Sequence, residues 1–161
     1  MSGASVASRS PAATRFSPEE VIRRASLGTA IALLVQYGLG MWVNLYITIP
    51  ARDQGGGAFT AIGRALANGP AGLGVHTVLG LLLLAGSIVP VARAVAIRRP
   101  AIIITSGLSL LAVLGAAASG AAFVNAGTNG ASLSMALLTA VALLGQVLTL
   151  FLLAGSRPAR G

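Results

Sequence analysis

The chain has 161 residues but no cysteine, no lysine and only 9% charged residues. Without cysteine it forms no disulfide, no thiolate metal site and no cysteine nucleophile. So few charges exclude an ordinary soluble domain, whose surface needs many more charged side chains. The 3 acidic residues are Glu19, Glu20 and Asp53, all outside the long apolar runs, and His76 is the single histidine.

These absences also exclude classes of function. The sequence has no paired carboxylates, no HExxH zinc motif, no phosphate-binding loop and no Ser-His-Asp set, so hydrolytic chemistry and a metal site are not expected. Carriers coupled to protons or sodium usually need a carboxylate within a span, and none is present. The sequence therefore favours a protein that is not an enzyme, although it does not decide this point.

Long apolar runs fill most of the chain, which is 55% hydrophobic with a mean hydropathy of +0.87. Each run reaches the roughly 20 residues that a helix needs to cross a bilayer. The runs do not alternate polar and apolar residues as barrel strands do, so helices are favoured. The sequence predicts an all-α integral membrane protein, an up-down four-helix bundle with spans at 25–49, 71–97, 101–124 and 133–154.

The arginines predict the orientation of this bundle. All of the eleven basic residues except Arg52 and Arg64 flank one side of the predicted spans. The positive-inside rule therefore places segments 1–24 and 155–161 in the cytoplasm, as tails of a bundle at 25–154 in the plasma membrane. The net charge of +8 is explained by the lipid bilayer and its anionic headgroups, so nucleic acid is not an expected partner.

Two short features flank the first span. Ser17, Pro18 and Glu20 have the spacing of a helix start, in which Ser17 caps the helix and Pro18 is its first residue. A further short helix is predicted at 58–67, in the loop that joins the first two spans.

The two halves of the bundle resemble each other. Segments 42–44 (WVN) and 123–125 (FVN) end the first and third spans, and Gly86 and Gly145 coincide when the second and fourth spans are superposed. A duplicated hairpin explains this likeness, and so does the small set of residue types, mainly Leu, Ala and Gly, that any two membrane hairpins share. The 2+2 repeat therefore remains open at the level of sequence.

The polar residue most suggestive of chemistry is His76, about one turn into the second span. Helical spacing places Gly72 and Gly80 on its stripe. Glycines on both sides of a histidine allow a flat group to approach, such as a haem, and equally allow a neighbouring helix to pack closely. Ionisable groups inside spans are costly to bury and for that reason indicate function.

Other residues are predicted near this histidine. Asn44 and Thr48 lie at the same depth on the first span, and Met135 coincides with His76 in the register of the repeat. His76 is either a ligand or proton-transfer group, or a neutral histidine that hydrogen-bonds to Asn44, Asn125 or water.

Small and amide side chains predict how the spans contact one another. Gln36 and Gln146 are expected to form interhelical hydrogen bonds, and the third span carries a stripe of small residues that includes Ser109, Ala116 and Gly120. Such stripes are typical of close helix packing in membranes rather than of a reactive serine.

Two segments carry a family resemblance. Segment 73–84 (LGVHTVLGLLLL) is similar to the second helix of one four-helix half of the haem A synthase family, with His76 at the ligand position. Segment 132–144 (SLSMALLTAVALL) is similar to the fourth helix, with Met135 where a second histidine would stand. More loosely, the chain resembles other b-type four-helix membrane cytochromes.

The resemblance implies either a haem b held by His76 and Met135 or a bundle that kept the fold and lost the cofactor. The second histidine, the acidic residue near the first one and the second bundle of the family are absent, so haem A synthesis is not implied.

Three functions follow as hypotheses. The favoured one is a cofactor-free accessory or scaffold protein that packs, through small faces of its first and third spans, in a larger membrane complex or a homo-oligomer. The second is a haem-binding electron-transfer protein, and the third is a small-solute carrier or channel.

Overall fold

The computed structural model describes residues 16–49 and 54–155, so the predictions for 1–15, 50–53 and 156–161 lie outside the described residues. The described residues form helices and no strand. The helices are α1 (Pro18–Tyr46), α2 (Ala58–Ala67), α3 (Ala71–Ala96), α4 (Pro100–Ala126) and α5 (Asn129–Ala154).

The predicted fold class is confirmed. α1, α3, α4 and α5 have 29, 26, 27 and 26 residues, and each is long and apolar enough to cross a membrane. At a rise of about 1.5 Å per residue, each exceeds the roughly 30 Å of a hydrocarbon core. The chain is thus a multi-pass membrane protein, and the predicted short helix at 58–67 is confirmed as α2.

The ends of α1 follow from local chemistry. The Ser17 side chain accepts a hydrogen bond from the backbone N–H of Glu20 at 3.2 Å, which confirms the predicted cap. The helix ends at Tyr46, before the predicted end at Ile49, because Ile47 takes an extended backbone with φ −111° and ψ 117°. The residues from Ile47 to Ile49 are all β-branched, and such residues favour extended backbone.

The four long helices form a ring. α1 packs on α3 and α5, and α4 packs on the same two helices, so each hairpin contacts the other along two seams, α1/α5 and α3/α4. The arginine-rich end is where α1 begins, α3 turns into α4 and α5 ends. The loop end is the opposite end, where α2 lies against α3 and α4.

Buried side chains form layers along the bundle. Three apolar clusters follow one another from the loop end. The first contains Val43, Ala61, Ala65, Leu73, Ala121 and Val124, and the second contains Leu33, Leu83, Ala112, Val113 and Ala142. The third, at the arginine-rich end, contains Ile22, Ala94, Ile102 and Leu153. Between the last two clusters lies a polar layer of buried Ser26, Thr29, Ser87, Ser106, Ser109, Gln146 and Thr149. All four long helices contribute to this polar layer.

Hydrogen bonds in the polar layer join α4 to α5. Gln146 Nε2 donates to Ser109 Oγ at 2.8 Å, and Ser109 Oγ donates to the Ala142 carbonyl at 2.8 Å. The hydroxyls of Thr105 and Thr149 lie 2.7 Å apart. The prediction that Gln146 bonds between helices is confirmed. Packing and hydrogen bonds of this kind hold helices together in lipid, where apolar burial drives little association.

Ion pairs join the helices at the arginine-rich end. Glu20 pairs with Arg23 and Arg24 at 3.0 Å each, within the first turns of α1. Glu19 pairs with Arg99 at 2.6 Å and so ties the start of α1 to the turn between α3 and α4. Such exposed pairs are screened by water and stabilise the fold little. Their main effect is to hold these two segments at the same surface.

Candidate functional site

A cavity lies between the four long helices in the loop-end half of the bundle, with Ala61 and Ala65 of α2 in its wall. Its volume is about 130 Å³, and part of it is open to the surroundings. Most of its wall is apolar. The polar residues of the wall are Gln36, Tyr37, Asn44, His76, Thr77, Ser132 and Thr139.

The cavity opens sideways between the two hairpins. Tyr37 and Met41 of α1 line it and are 44% and 41% exposed, and Leu81 of α3 lines it and is 41% exposed. Ala117 of α4 is also an exposed wall residue. These wall residues also reach the outer surface of the bundle, which would face lipid.

His76 contacts α1 through Gln36. The amide Nε2 of Gln36 donates to the backbone carbonyl of His76 at 3.0 Å and lies 3.3 Å from the imidazole Nε2. Because the amide nitrogen can only donate, this contact is a hydrogen bond only in the tautomer whose Nε2 accepts and whose Nδ1 carries the proton. Gln36 was predicted to bond between helices, which is confirmed. The expected partners Asn44 and Asn125 form no hydrogen bond with the ring.

The imidazole packs on a glycine of α1. A Cβ at Gly40 would stand 3.0 Å from the Cε1 of His76. The Nδ1 of His76 is buried with no hydrogen-bond partner among the described residues, and the same holds for Oε1 of Gln36. Each unpaired buried polar atom costs about 1–3 kcal/mol. Two residues of the cavity wall therefore each carry a buried polar atom that has no partner among the described residues.

Side chains of α1 occupy the space beside Gly72 and Gly80, the two glycines that flank His76 on α3. A Cβ at Gly72 would overlap the indole ring of Trp42, and a Cβ at Gly80 would lie 3.1 Å from Nε2 of Gln36. The sequence offered two explanations for these glycines, the approach of a flat group such as a haem and close packing of a neighbouring helix. This arrangement matches the neighbouring helix. Trp42 also packs with Tyr46, with ring centroids 6.3 Å apart, and both rings are exposed near the loop end.

Two other predicted residues reach the same cavity. Met135 lines it from α5, on the opposite side of the ring from α3, and its Sδ would lie 3.3 Å from a Cβ at Gly120. Asn44 lines it from α1, and its Oδ1 accepts a hydrogen bond from Ser132 at 2.9 Å. This hydrogen bond closes one part of the α1/α5 seam at the loop end.

Three predicted residues are not brought to the cavity. Thr48 follows the end of α1, and Gly72 is covered by Trp42. Asn125 accepts from the backbone N–H of Gly55 at 3.0 Å through its own backbone carbonyl. The predicted residues that do line the cavity are Asn44, His76, Gly80 and Met135.

Sequence reasoning missed several wall residues, notably Thr77, Ser132 and Thr139. Gln36 was assigned only a role in helix contact. Gln36 lies four residues before Gly40 on α1, and His76 lies four residues before Gly80 on α3. Each pair therefore shares one face of its helix, and this pattern could have predicted the contact.

The small face of the third span is used inside the bundle. A Cβ at Gly145 of α5 would stand 2.9 Å from the Cβ of Ser109, and Gly120 contacts Met135. Ala116 lines the cavity. This face was expected to pack on another protein, whereas within the bundle it packs on α5.

The arrangement can be compared with the needs of a haem. A haem at His76 would require a free imidazole nitrogen on a flat, open face. The Nε2 of His76 lies within hydrogen-bond distance of Gln36, and Gly72 and Gly80 are covered by α1 side chains. The residues in this arrangement do not fit a haem. Among the described residues there is also no group of three His, Asp or Glu side chains that could hold a metal ion.

Comparisons of the chain with family models, with curated proteins and with solved structures find no match. The fold and the site define a class, a multi-pass membrane protein of four long apolar helices with a cavity between its two hairpins.

Proposed function

We propose that this chain is a cofactor-free accessory membrane protein that binds a small lipid-soluble molecule in the cavity between its hairpins. The observation that carries the proposal is the open cavity around His76, whose Nδ1 has no partner among the described residues. A bundle that served only as a scaffold would gain stability by closing this space, because packing is what holds helices together in lipid.

The chemistry of the wall defines the class of ligand. An apolar wall that opens toward lipid favours a molecule that partitions into the bilayer. In the tautomer that accepts from Gln36, the Nδ1–H of His76 is a donor without a partner among the described residues, so the proposed ligand presents an acceptor such as a carbonyl oxygen.

The single tryptophan offers a direct measurement. Trp42 lies over Gly72, one helical turn from His76 on α3. We expect menadione, a small lipid-soluble quinone, to quench Trp42 emission saturably in detergent-solubilised protein. Ala116→Leu narrows the cavity and should weaken this binding about ten-fold, as expected for about 1.4 kcal/mol of overpacking.

Ala118→Leu is the matched control, because Ala118 lies on the same helix, is exposed and is not part of the cavity wall. This variant should bind menadione like the parent chain. His76→Phe keeps a ring but removes the donor, and should weaken binding about five-fold. Quenching that does not saturate, or that is equal in all four proteins, would contradict the proposal.

The haem alternative is decided by one absorption spectrum. Protein purified from haem-replete cells is expected to show no Soret band, because the face of His76 is occupied by α1. His76→Ala should leave that spectrum unchanged. A Soret band that this substitution abolishes would instead establish the haem-binding function.

A further inference from the structure

A second recess lies on the outer surface of the bundle, between α1 and α3. Its volume is about 340 Å³, and its wall is apolar apart from one threonine. We call it the α1/α3 groove, and its wall consists of Ala25, Gly28, Thr29, Ala32, Leu79, Leu82, Leu83, Gly86 and Val89. Of these described wall residues only Leu83 also lines the cavity, so the two sites can be tested separately.

Two glycines keep the α1/α3 groove open. A Cβ at Gly28 or at Gly86 would meet nothing within 4 Å. The side chains of Leu27, Ile31 and Leu82 at the groove are exposed, so the groove is continuous with the apolar surface that would face lipid. In a bilayer such a recess is filled by a lipid chain or by another helix, because empty space forfeits packing contacts.

Thr29 carries the polar group of the groove. Its side chain is only 7% exposed, and its hydroxyl forms no hydrogen bond within the described part of the chain. The other threonines of the described long helices each donate to the carbonyl four residues earlier in the same helix, and they are Thr77, Thr105, Thr139 and Thr149. Because an unpaired buried hydroxyl is costly, Thr29 indicates that the occupant of the groove presents an acceptor.

The length of the groove matches one leaflet of a bilayer. Along α3 it extends from Leu79 to Val89, which is about 15 Å at a rise of about 1.5 Å per residue. Half of a hydrocarbon core of roughly 30 Å is also about 15 Å. On α1 the groove begins at Ala25, directly after Arg24, so it opens at the arginine-rich end.

Toward the loop end, side chains of α1 close the seam between α1 and α3. A Cβ at Gly80 would lie 3.1 Å from Nε2 of Gln36, and a Cβ at Gly72 would overlap the indole of Trp42. A spanning helix of a second copy crosses both leaflets and would meet this closed part of the seam. A lipid chain ends near the middle of the bilayer, so the length of the groove favours a lipid chain.

We propose that the α1/α3 groove binds an acyl chain of a glycerophospholipid, and that the hydroxyl of Thr29 donates a hydrogen bond to an ester carbonyl of that lipid. Thr29 lies about 8 Å along α1 from Arg24. The headgroup region on each side of a bilayer is roughly 5–7 Å thick. With Arg24 among the headgroups, Thr29 therefore lies at the depth of the ester groups. This site stands or falls independently of the proposed function.

Two lipids that differ only in the linkage of their chains test the hydrogen bond. Dipalmitoyl phosphatidylcholine has ester carbonyls, whereas its ether-linked analogue dihexadecyl phosphatidylcholine has none. In native mass spectrometry of the detergent-solubilised chain, the ester lipid should bind about five-fold more tightly than the ether lipid, as expected for one net hydrogen bond. Thr29→Val keeps the shape of the side chain but removes the donor, and should bind both lipids within about two-fold of each other.

Gly28→Leu tests the groove itself, because it places a side chain in the open space and should weaken the binding of both lipids about ten-fold. Gly38→Leu is the matched control, since Gly38 lies on the same helix, has open space around it and is not part of the groove wall. This control should bind both lipids like the parent chain.

Three results would overturn the proposal. The first is equal binding of the ester and ether lipids by the parent chain, and the second is a preference for the ester lipid that Thr29→Val retains. The third is a Gly28→Leu variant that binds both lipids like the parent chain. A dimer of the parent chain that Gly28→Leu abolishes while lipid binding persists would assign the groove to a second copy.

Discussion

Gly145→Leu is expected to destabilise the bundle by about 3 kcal/mol or more. A Cβ at this position would stand 2.9 Å from the Cβ of Ser109 and 2.9 Å from the backbone carbonyl oxygen of Thr105. Because one of these atoms belongs to the backbone, rotation of a side chain cannot relieve the clash. Helices α4 and α5 must then separate, which also breaks the hydrogen bonds around Ser109.

The free energy of unfolding in mixed micelles, measured by titration with sodium dodecyl sulfate, checks this expectation. Gly86→Leu is the matched control, because the sequence register pairs Gly86 with Gly145 while the structure leaves open space around Gly86. The control should change stability by less than about 1 kcal/mol. Equal destabilisation by both substitutions would mean that α4 and α5 do not meet at Gly145.

Gly72→Ala is expected to displace the indole of Trp42 and to destabilise the bundle by about 2 kcal/mol. A Cβ at Gly72 overlaps the six-membered part of the indole ring. The ring must leave this contact and become more exposed, which should shift its emission to longer wavelength. Since Trp42 is the single tryptophan, the emission reports on this contact alone.

Gly74→Ala serves as the comparison on the same helix. A Cβ at Gly74 meets only the carbonyl oxygen of Ala65 at 3.6 Å, which is an ordinary contact. Replacing an unhindered helical glycine by alanine stabilises a helix by up to about 1 kcal/mol. The two substitutions should therefore change stability in opposite directions. An unchanged emission maximum in Gly72→Ala would show that Trp42 does not cover α3.

The residues of the site show how far sequence reasoning reached. For a neutral His76 the sequence predicted a hydrogen bond to Asn44, Asn125 or water, because an unpaired polar group is costly in lipid, whereas the structure places Gln36 beside it. Depth in the bilayer can be estimated from residue number, whereas the rotation of each helix cannot. Gln36 is the residue that bonds to His76 because Gly40 lets the imidazole lie close to α1. This contact depends on the rotation of both helices at once.

By itself, the sequence determined that four helices cross a membrane, where they begin and end to within a few residues, and that Gln36 and Gln146 bond between helices. The spans and their ends depend on local transfer free energies and local capping, which each segment carries alone, and a buried amide in lipid needs a partner on another helix. Only the tertiary structure decided that Trp42 and Gln36 fill the space beside His76, that a cavity remains between the hairpins, and that a groove remains between α1 and α3. Those features arise from the rotation and spacing of helices relative to one another, and no single segment determines them.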